Sequence, residues 1–136
     1  MAETLQLEIV TPDRLVEKDV VAEIQIPGKN GYLGILPGHA PLITELGIGE
    51  ITYTADHTKV RLAVAWGFAE VLPDKVTILA ETAERASEID LARAQRARER
   101  AEQRLKSASG DVDFTRAETA LERATTRIQV AEKGHQ

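Results

Sequence analysis

At 136 residues, 43% hydrophobic and 29% charged, the chain is sized for one domain or a compact one with an appendage. Without cysteine it can hold neither a disulfide nor a thiolate metal site. Its net charge of −5 is uneven: Met1 to Glu84 carries 6 Lys/Arg against 13 Asp/Glu, and Arg85 to Gln136 carries 11 against 9. The acidic first part excludes nucleic acid as its partner, because neutralising phosphates takes a cationic face.

In chain order, Leu5-x-Leu7-x-Ile9 alternates with period 2 and predicts a strand, closed by Thr11-Pro12-Asp13. A strand this close to Met1 leaves no room for a signal or transit peptide. Arg14 to Glu17 predicts a short second strand ending at Lys18-Asp19. Val20 to Ile26 predicts a third, ended by Pro27-Gly28-Lys29-Asn30-Gly31. Tyr32 to Leu36 follows, then the turn residues Pro37-Gly38-His39-Ala40-Pro41. Leu42 to Leu46 and Ile51 to Tyr53 read as separate strands, with Gly47-Ile48-Gly49 as punctuation between them. Asp56-His57 reads as a hairpin turn leading into Val60 to Trp66. Phe68 to Leu72 and Val76 to Leu79 flank Pro73-Asp74-Lys75, where proline sets the bend. Many short strands with turn chemistry between them predict an antiparallel β-sandwich or barrel. The longest apolar run, Leu62 to Ala69, falls far short of the roughly 20 residues that span a bilayer.

Across Glu84 to Ala94 the period changes from 2 to 3.6, which divides the chain into a body, residues 1–86, and an arm, residues 87–136. Ser87 with Asp90 three residues on reads as a helix start. A first helix is predicted from about Ile89 to Lys106, rich in Ala, Arg, Glu and Gln. Ser107-Ala108-Ser109-Gly110-Asp111 breaks it, and Asp113 is the N-cap expected for a second. In that second helix Phe114, Ala117, Leu121, Ala124, Ile128 and Ala131 form a heptad seam, answered by Leu91, Ala94, Ala97, Ala101 and Leu105. The pairing predicts an antiparallel two-helix hairpin behind the sandwich. Alanine dominates the seam and buries little area per residue, so the hairpin should open more easily than the body unfolds.

Catalytic machinery is not legible. The only serines, Ser87, Ser107 and Ser109, all lie in the arm, so the body has no serine nucleophile. His39, His57 and His135 show no metal-ligand spacing. Gly28-Lys29-Asn30-Gly31 lacks the Gly-x4-Gly-Lys-Ser/Thr pattern of a phosphate loop. What stands out is arginine on helical faces: Arg93, Arg96, Arg100 and Arg104 on one stripe, Arg116, Arg123 and Arg127 on another. One reading is a solvated face balanced by Glu99, Glu102, Glu118 and Glu122. The other is an anion site, or a basic face for an acidic partner, since guanidinium forks grip carboxylate and phosphate.

Several stretches carry a resemblance that covers essentially the whole chain. In the body they are Val10-Thr11-Pro12-Asp13, Gly31-x-Leu33-Gly34-Ile35-Leu36-Pro37-Gly38-His39-Ala40-Pro41-Leu42 and Pro73-Asp74-Lys75-Val76-Thr77-Ile78-Leu79-Ala80. In the arm they are Ile89-Asp90-x-x-Arg93-Ala94 and Asp113-Phe114-x-Arg116-Ala117-Glu118. With these the chain resembles the epsilon subunit of rotary F-type ATP synthases. The resemblance implies a non-catalytic central-stalk subunit, with no required cofactor or metal, peripheral to the membrane on the cytoplasmic face of a bacterial plasma membrane, a thylakoid protein being the lesser alternative. It implies that the sandwich clamps onto the gamma subunit and the ring of c subunits, so coupling rotation to a proton or sodium flux. It implies that the arm switches between a folded hairpin and an extended form, which inserts between the alpha and beta catalytic subunits and blocks ATP hydrolysis. By the same resemblance Lys29, Asn30, Gly31, Tyr32 and His39 face the c-ring. ATP as a regulatory ligand is assigned to Ile89, Asp90, Arg93 and Ala94, with Glu84, Arg100, Arg123 and Arg127 in support. For His39 the other reading is a loop residue stabilising its own turn. Two other classes stay open: a free-standing β-sandwich ligand-binding module, poorly supplied at 4% aromatics, and a tautomerase- or hydrolase-like enzyme.

Overall fold

The computed structural model describes residues 3–107 and 113–134. Its first part is a seven-stranded sheet, made of β1 (Leu5–Val10), β2 (Leu15–Val21), β3 (Glu23–Gly28), β4 (Gly31–Ile35), β5 (Leu42–Ala55), β6 (Thr58–Val71) and β7 (Lys75–Arg85). The order across the sheet is β2-β1-β7-β6-β5-β3-β4. Although β2 and β5 are far apart in that order, the Ala22 N–H donates to the Thr54 carbonyl at 2.9 Å. Tyr53 Oη, on the same stretch of β5, donates to Glu17 Oε2 of β2 at 2.9 Å. The sheet therefore folds back on itself as a sandwich, and the inward sides of its alternating strands make one core. Leu5, Leu7, Ile9, Ile24, Ile26, Ile51, Leu62 and Ile78 are all within 2% of full burial there.

Several boundaries differ from the sequence reading. β2 runs through Lys18-Asp19 to Val21, and the chain turns at Ala22 instead. β2 is an edge strand, and Lys18 is exposed opposite Glu8; Asp19, opposite the inward Leu7, is half-buried, and its Oδ1 accepts the Val20 N–H at 2.8 Å. β5 passes through Gly47-Ile48-Gly49 without a break. Gly49 is required by packing, since a Cβ there would lie 2.6 Å from both Pro27 Cβ and Tyr32 Oη. β6 likewise continues through Trp66 and Gly67, at φ +59° and +115°, and kinks there. A Cβ on Gly67 would collide with the Leu79 carbonyl oxygen. The sheet is not wholly antiparallel either: β1 and β7 pair in parallel, from Gln6 opposite Lys75 to Val10 opposite Leu79. Alternation tells which face a residue takes, not which strand lies beside it. The Asp56-His57 turn is as expected, both residues at positive φ.

Two helices follow, α1 (Leu91–Lys106) and α2 (Phe114–Lys133). Ser87 does not cap α1; it lies within a 3-10 turn over Ala86–Glu88, whose Glu88 carboxylate accepts the Arg85 N–H at 3.0 Å. Asp90 is the cap, its Oδ1 accepting the Arg93 N–H at 3.0 Å, so the helix begins at Leu91 rather than Ile89. Asp113 caps α2 in the same way through Arg116, as the sequence suggests. Ser107 is the C-cap of α1; the breaking residues 108–111 and His135 lie outside the described residues. The helices pack as a hairpin along Ala94, Ala101, Ala117, Ala124, Ile128 and Ala131, all buried. Leu91, Ala97, Leu105 and Leu121 are half-buried, and Phe114 is exposed at the connected end of the hairpin. A small satellite core of Ile89, Val130 and Ala131 against Ala63 seats the arm on the sandwich.

Candidate functional site

Where the hairpin lies on the sheet, it encloses a cavity of about 370 Å³. The floor is β5 and β6, with Ile48, Ala63 and Ala65; the walls are Thr82 and Glu84 of β7 and the two helices. The Asp90 cap fixes the first turn of α1, which puts Arg93 at the cavity edge. On α2, Arg123 and Arg127 fall four apart and so share a face. The small side chains of Ala97, Ala120 and Ala124 leave the space that the guanidiniums border. Arg127 is already paired with Glu84: Nη2 donates to Oε2 at 3.0 Å, while Nε lies 2.8 Å from Oε1 but off the hydrogen-bond direction. Arg93 and Arg123 make no ion pair among the described residues. The lining thus carries three guanidiniums against one carboxylate, a site suited to an anion of high charge.

Of the residues assigned to ATP, the fold gathers Glu84, Arg93, Arg123 and Arg127 around this cavity. Ala94 is fully buried on the seam and Ile89 in the satellite core, so both shape the site without lining it. Asp90 spends Oδ1 on capping and holds Arg93 through the main chain. Arg100 is exposed and outside the lining. The balancing carboxylates are mostly not engaged in the way a solvated face would need: only Arg98 and Glu102, 3.5 Å apart, form a pair along the arm among the described residues.

The residues assigned to the c-ring lie on two turns. Lys29 and Asn30 make the β3–β4 turn, closed by Gly31 at φ +137°. Lys29 is tied to β5 twice, by its N–H to the Glu45 carbonyl at 2.9 Å and by Nζ to Glu45 Oε2 at 3.0 Å. Tyr32 is half-exposed, and its Oη accepts the Glu50 N–H at 3.0 Å. His39 sits on the 36–41 loop, which Gly38 ties to the Pro73 carbonyl at 2.7 Å. Its Nδ1 lies 2.7 Å from the Ala40 carbonyl, so the ring steadies its own turn.

Two family models match: the beta-sandwich domain of the ATP synthase delta/epsilon chain over residues 4–86, and its long alpha-helix domain over residues 87–132. The chain belongs to the ATP synthase epsilon family. It is 72% identical over 108 residues to the ATP synthase epsilon chain of Koribacter versatilis, covering 79% of this chain and 76% of that one. It is 50% identical over 133 residues to the epsilon chain of Syntrophobacter fumaroxidans, covering 98% and 99%. A chain in the Euglena gracilis mitochondrial ATP synthase structure shares the fold, with a TM-score of 0.82 at 24% identity, over 100% of this chain and 84% of that one. An epsilon chain is a non-catalytic subunit, so the protein is not itself an enzyme.

One surface of this epsilon chain escapes a motif reading. On the outer side of the sheet Leu15, Val10, Leu79 and Phe68 stand opposite one another across β2, β1, β7 and β6, and Ile43 of β5 lies diagonal to Phe68. Leu15, Leu79 and Phe68 are half-exposed and Ile43 is 71% exposed, an apolar row on a solvent face. Strand parity would have found it: with Val76, Ile78 and Ala80 facing inward, Leu79 must face out. No helix among the described residues is long and apolar enough to cross a membrane.

Proposed function

We propose that this chain is a central-stalk subunit of a proton- or sodium-translocating F-type ATP synthase, whose arm restrains ATP hydrolysis and whose cavity takes ATP as a regulatory ligand. The convergence of Arg93, Arg123 and Arg127 from both helices on one cavity carries this reading, because only the folded hairpin brings them together. A triphosphate binding there favours the folded arm over an extended one and so opposes inhibition. The apolar row from Leu15 to Ile43 is a seat for the gamma subunit, and the Lys29–Tyr32 and His39 turns meet the c-ring. The extended arm would reach the alpha and beta catalytic subunits. The protein works peripherally, on the cytoplasmic face of a bacterial plasma membrane. Family membership argues against a free-standing ligand-binding module.

Calorimetry on the isolated subunit tests the nucleotide reading. ATP gives a saturable heat, and Arg123→Glu weakens binding at least about tenfold, the effect of losing one charged contact. Arg98→Glu binds as the natural chain does, because Arg98 pairs with Glu102 outside the cavity. No heat at millimolar ATP, or equal loss in both variants, reduces the hairpin to a mechanical switch.

A further inference from the structure

Beyond the cavity, the arm touches the sandwich at a second polar point. Lys133, in the last turn of α2, places Nζ 3.3 Å from Oε2 of Glu50, midway along β5. The other Glu50 oxygen accepts Arg61 Nη1 at 2.8 Å and Thr52 Oγ1 at 3.3 Å. The main-chain N–H of Glu50 donates to Tyr32 Oη. Its side chain is only 12% exposed, and Lys59 and Gln129 border the same cleft. Burial alone would raise its carboxyl, but donation from Arg61 and Lys133 outweighs it and holds the group ionised below the ordinary carboxylate value.

This point adds to the apolar part of the arm's seat, the satellite core of Ala63, Ile89, Val130 and Ala131, over which a helix can slide. Among the described residues, Arg127 and Glu84 make the other ion pair between α2 and the sheet, about one turn and a half back along the helix. A half-buried carboxylate with both oxygens and its N–H engaged fixes position and register. Unlike the Arg127–Glu84 pair, it also connects to the Lys29–Tyr32 turn, through a tyrosine whose ring is half-exposed.

We propose that Glu50 is the latch of the folded arm: Lys133 fastens the end of α2 to it, and Tyr32 ties the latch to the Lys29–Tyr32 turn. That the turn faces the ring rests on the function proposed above; the latch itself does not. A load that shifts Tyr32 withdraws the acceptor of the Glu50 N–H and loosens the residue that holds the arm. Contact with the ring would thereby bias the arm toward release, independently of nucleotide.

Hydrogen exchange on the full-length chain, without nucleotide, tests this. Lys133→Gln and Glu50→Gln each speed exchange of the 128–133 amides about fivefold, the scale of one partly exposed charged pair. Lys133→Arg does not, and the double variant Glu50→Gln/Lys133→Gln is no faster than either single one. Tyr32→Phe speeds the same amides, while those of β6 and β7 stay unchanged throughout. An unmoved Lys133→Gln, or a Glu50→Gln effect spread equally over the sheet, overturns the latch. An unmoved Tyr32→Phe overturns its link to the turn. Because ATP is absent, none of these results bears on the nucleotide site, and a failed ATP titration leaves the latch standing.

Discussion

Glu88 shows how a single carboxylate can hold the junction of body and arm. It accepts the Arg85 N–H at 3.0 Å and pairs with Arg14 Nη2 at 2.7 Å, reaching from the 3-10 turn back to the β1–β2 connection. The Arg85 N–H first, and then Arg14, hold its carboxyl below the usual carboxylate value. A group whose native pKa is lowered stabilises the fold above the ordinary carboxylate range and loses that effect as pH falls through the lowered value. Glu88→Gln should therefore cost about 0.5–1 kcal/mol near neutral pH, in the range of an exposed pair, and nothing in strong acid. Thermal melts of both chains at neutral and strongly acid pH check this. The same residue explains a miscarried cap. Ser87 and Asp90 are both good capping types, but Glu88 and Arg14, 74 positions apart, take Ser87 into the turn. Local spacing does not register a partner so distant. Asp113, with no such competitor among the described residues, is the cap that its type and position suggest.

At the scale of elements, the sandwich carries its own stability and the arm borrows some of it. The main core, from Leu5 to Ala83, contains no arm residue. The arm's seam is mostly alanine, and each alanine withdraws little apolar surface from water. A chain ending at Ser87 should thus melt cooperatively within a few degrees of the full-length main transition, as followed by circular dichroism. A disordered spectrum would show that the arm is structurally required. Alternation made the faces of these strands legible, and the turns at Asp56-His57 and Pro73-Asp74-Lys75 as well. Gly49 and Gly67 read as breaks, because a glycine needed for close approach looks like one needed for a turn. The cavity was legible as an arginine stripe but not in its extent. Arg93 and Arg100 share a stripe, yet seven residues of helix separate them by about 10 Å. The cavity reaches the first and not the second. Arg123 and Arg127, one turn apart, both fit.

For the whole molecule, the proposed partner surfaces separate along the chain, while the cavity is shared between its two parts. The apolar row and both ring-facing turns belong to the sandwich, and the arginine stripes belong to the arm. Rebuilding the ATP synthase with residues 1–87 in place of the full chain should raise ATP hydrolysis while leaving hydrolysis coupled to ion transport. Unchanged hydrolysis in that assembly would remove the inhibitory role.

The parallel pairing of β1 with β7 bears on how the chain is born. Gln6 lies beside Lys75, so the strand made first waits for the strand made last in the sandwich. Until β7 emerges, a growing chain can close the β1–β2 hairpin but leaves the other side of β1 with bare amides and carbonyls. Closing so long a loop is slow, and such an open edge in the meantime is a template for mispairing between nascent chains. A chain released from synthesis before Leu79 keeps that edge of β1 open, whereas one released within the arm can close the sheet.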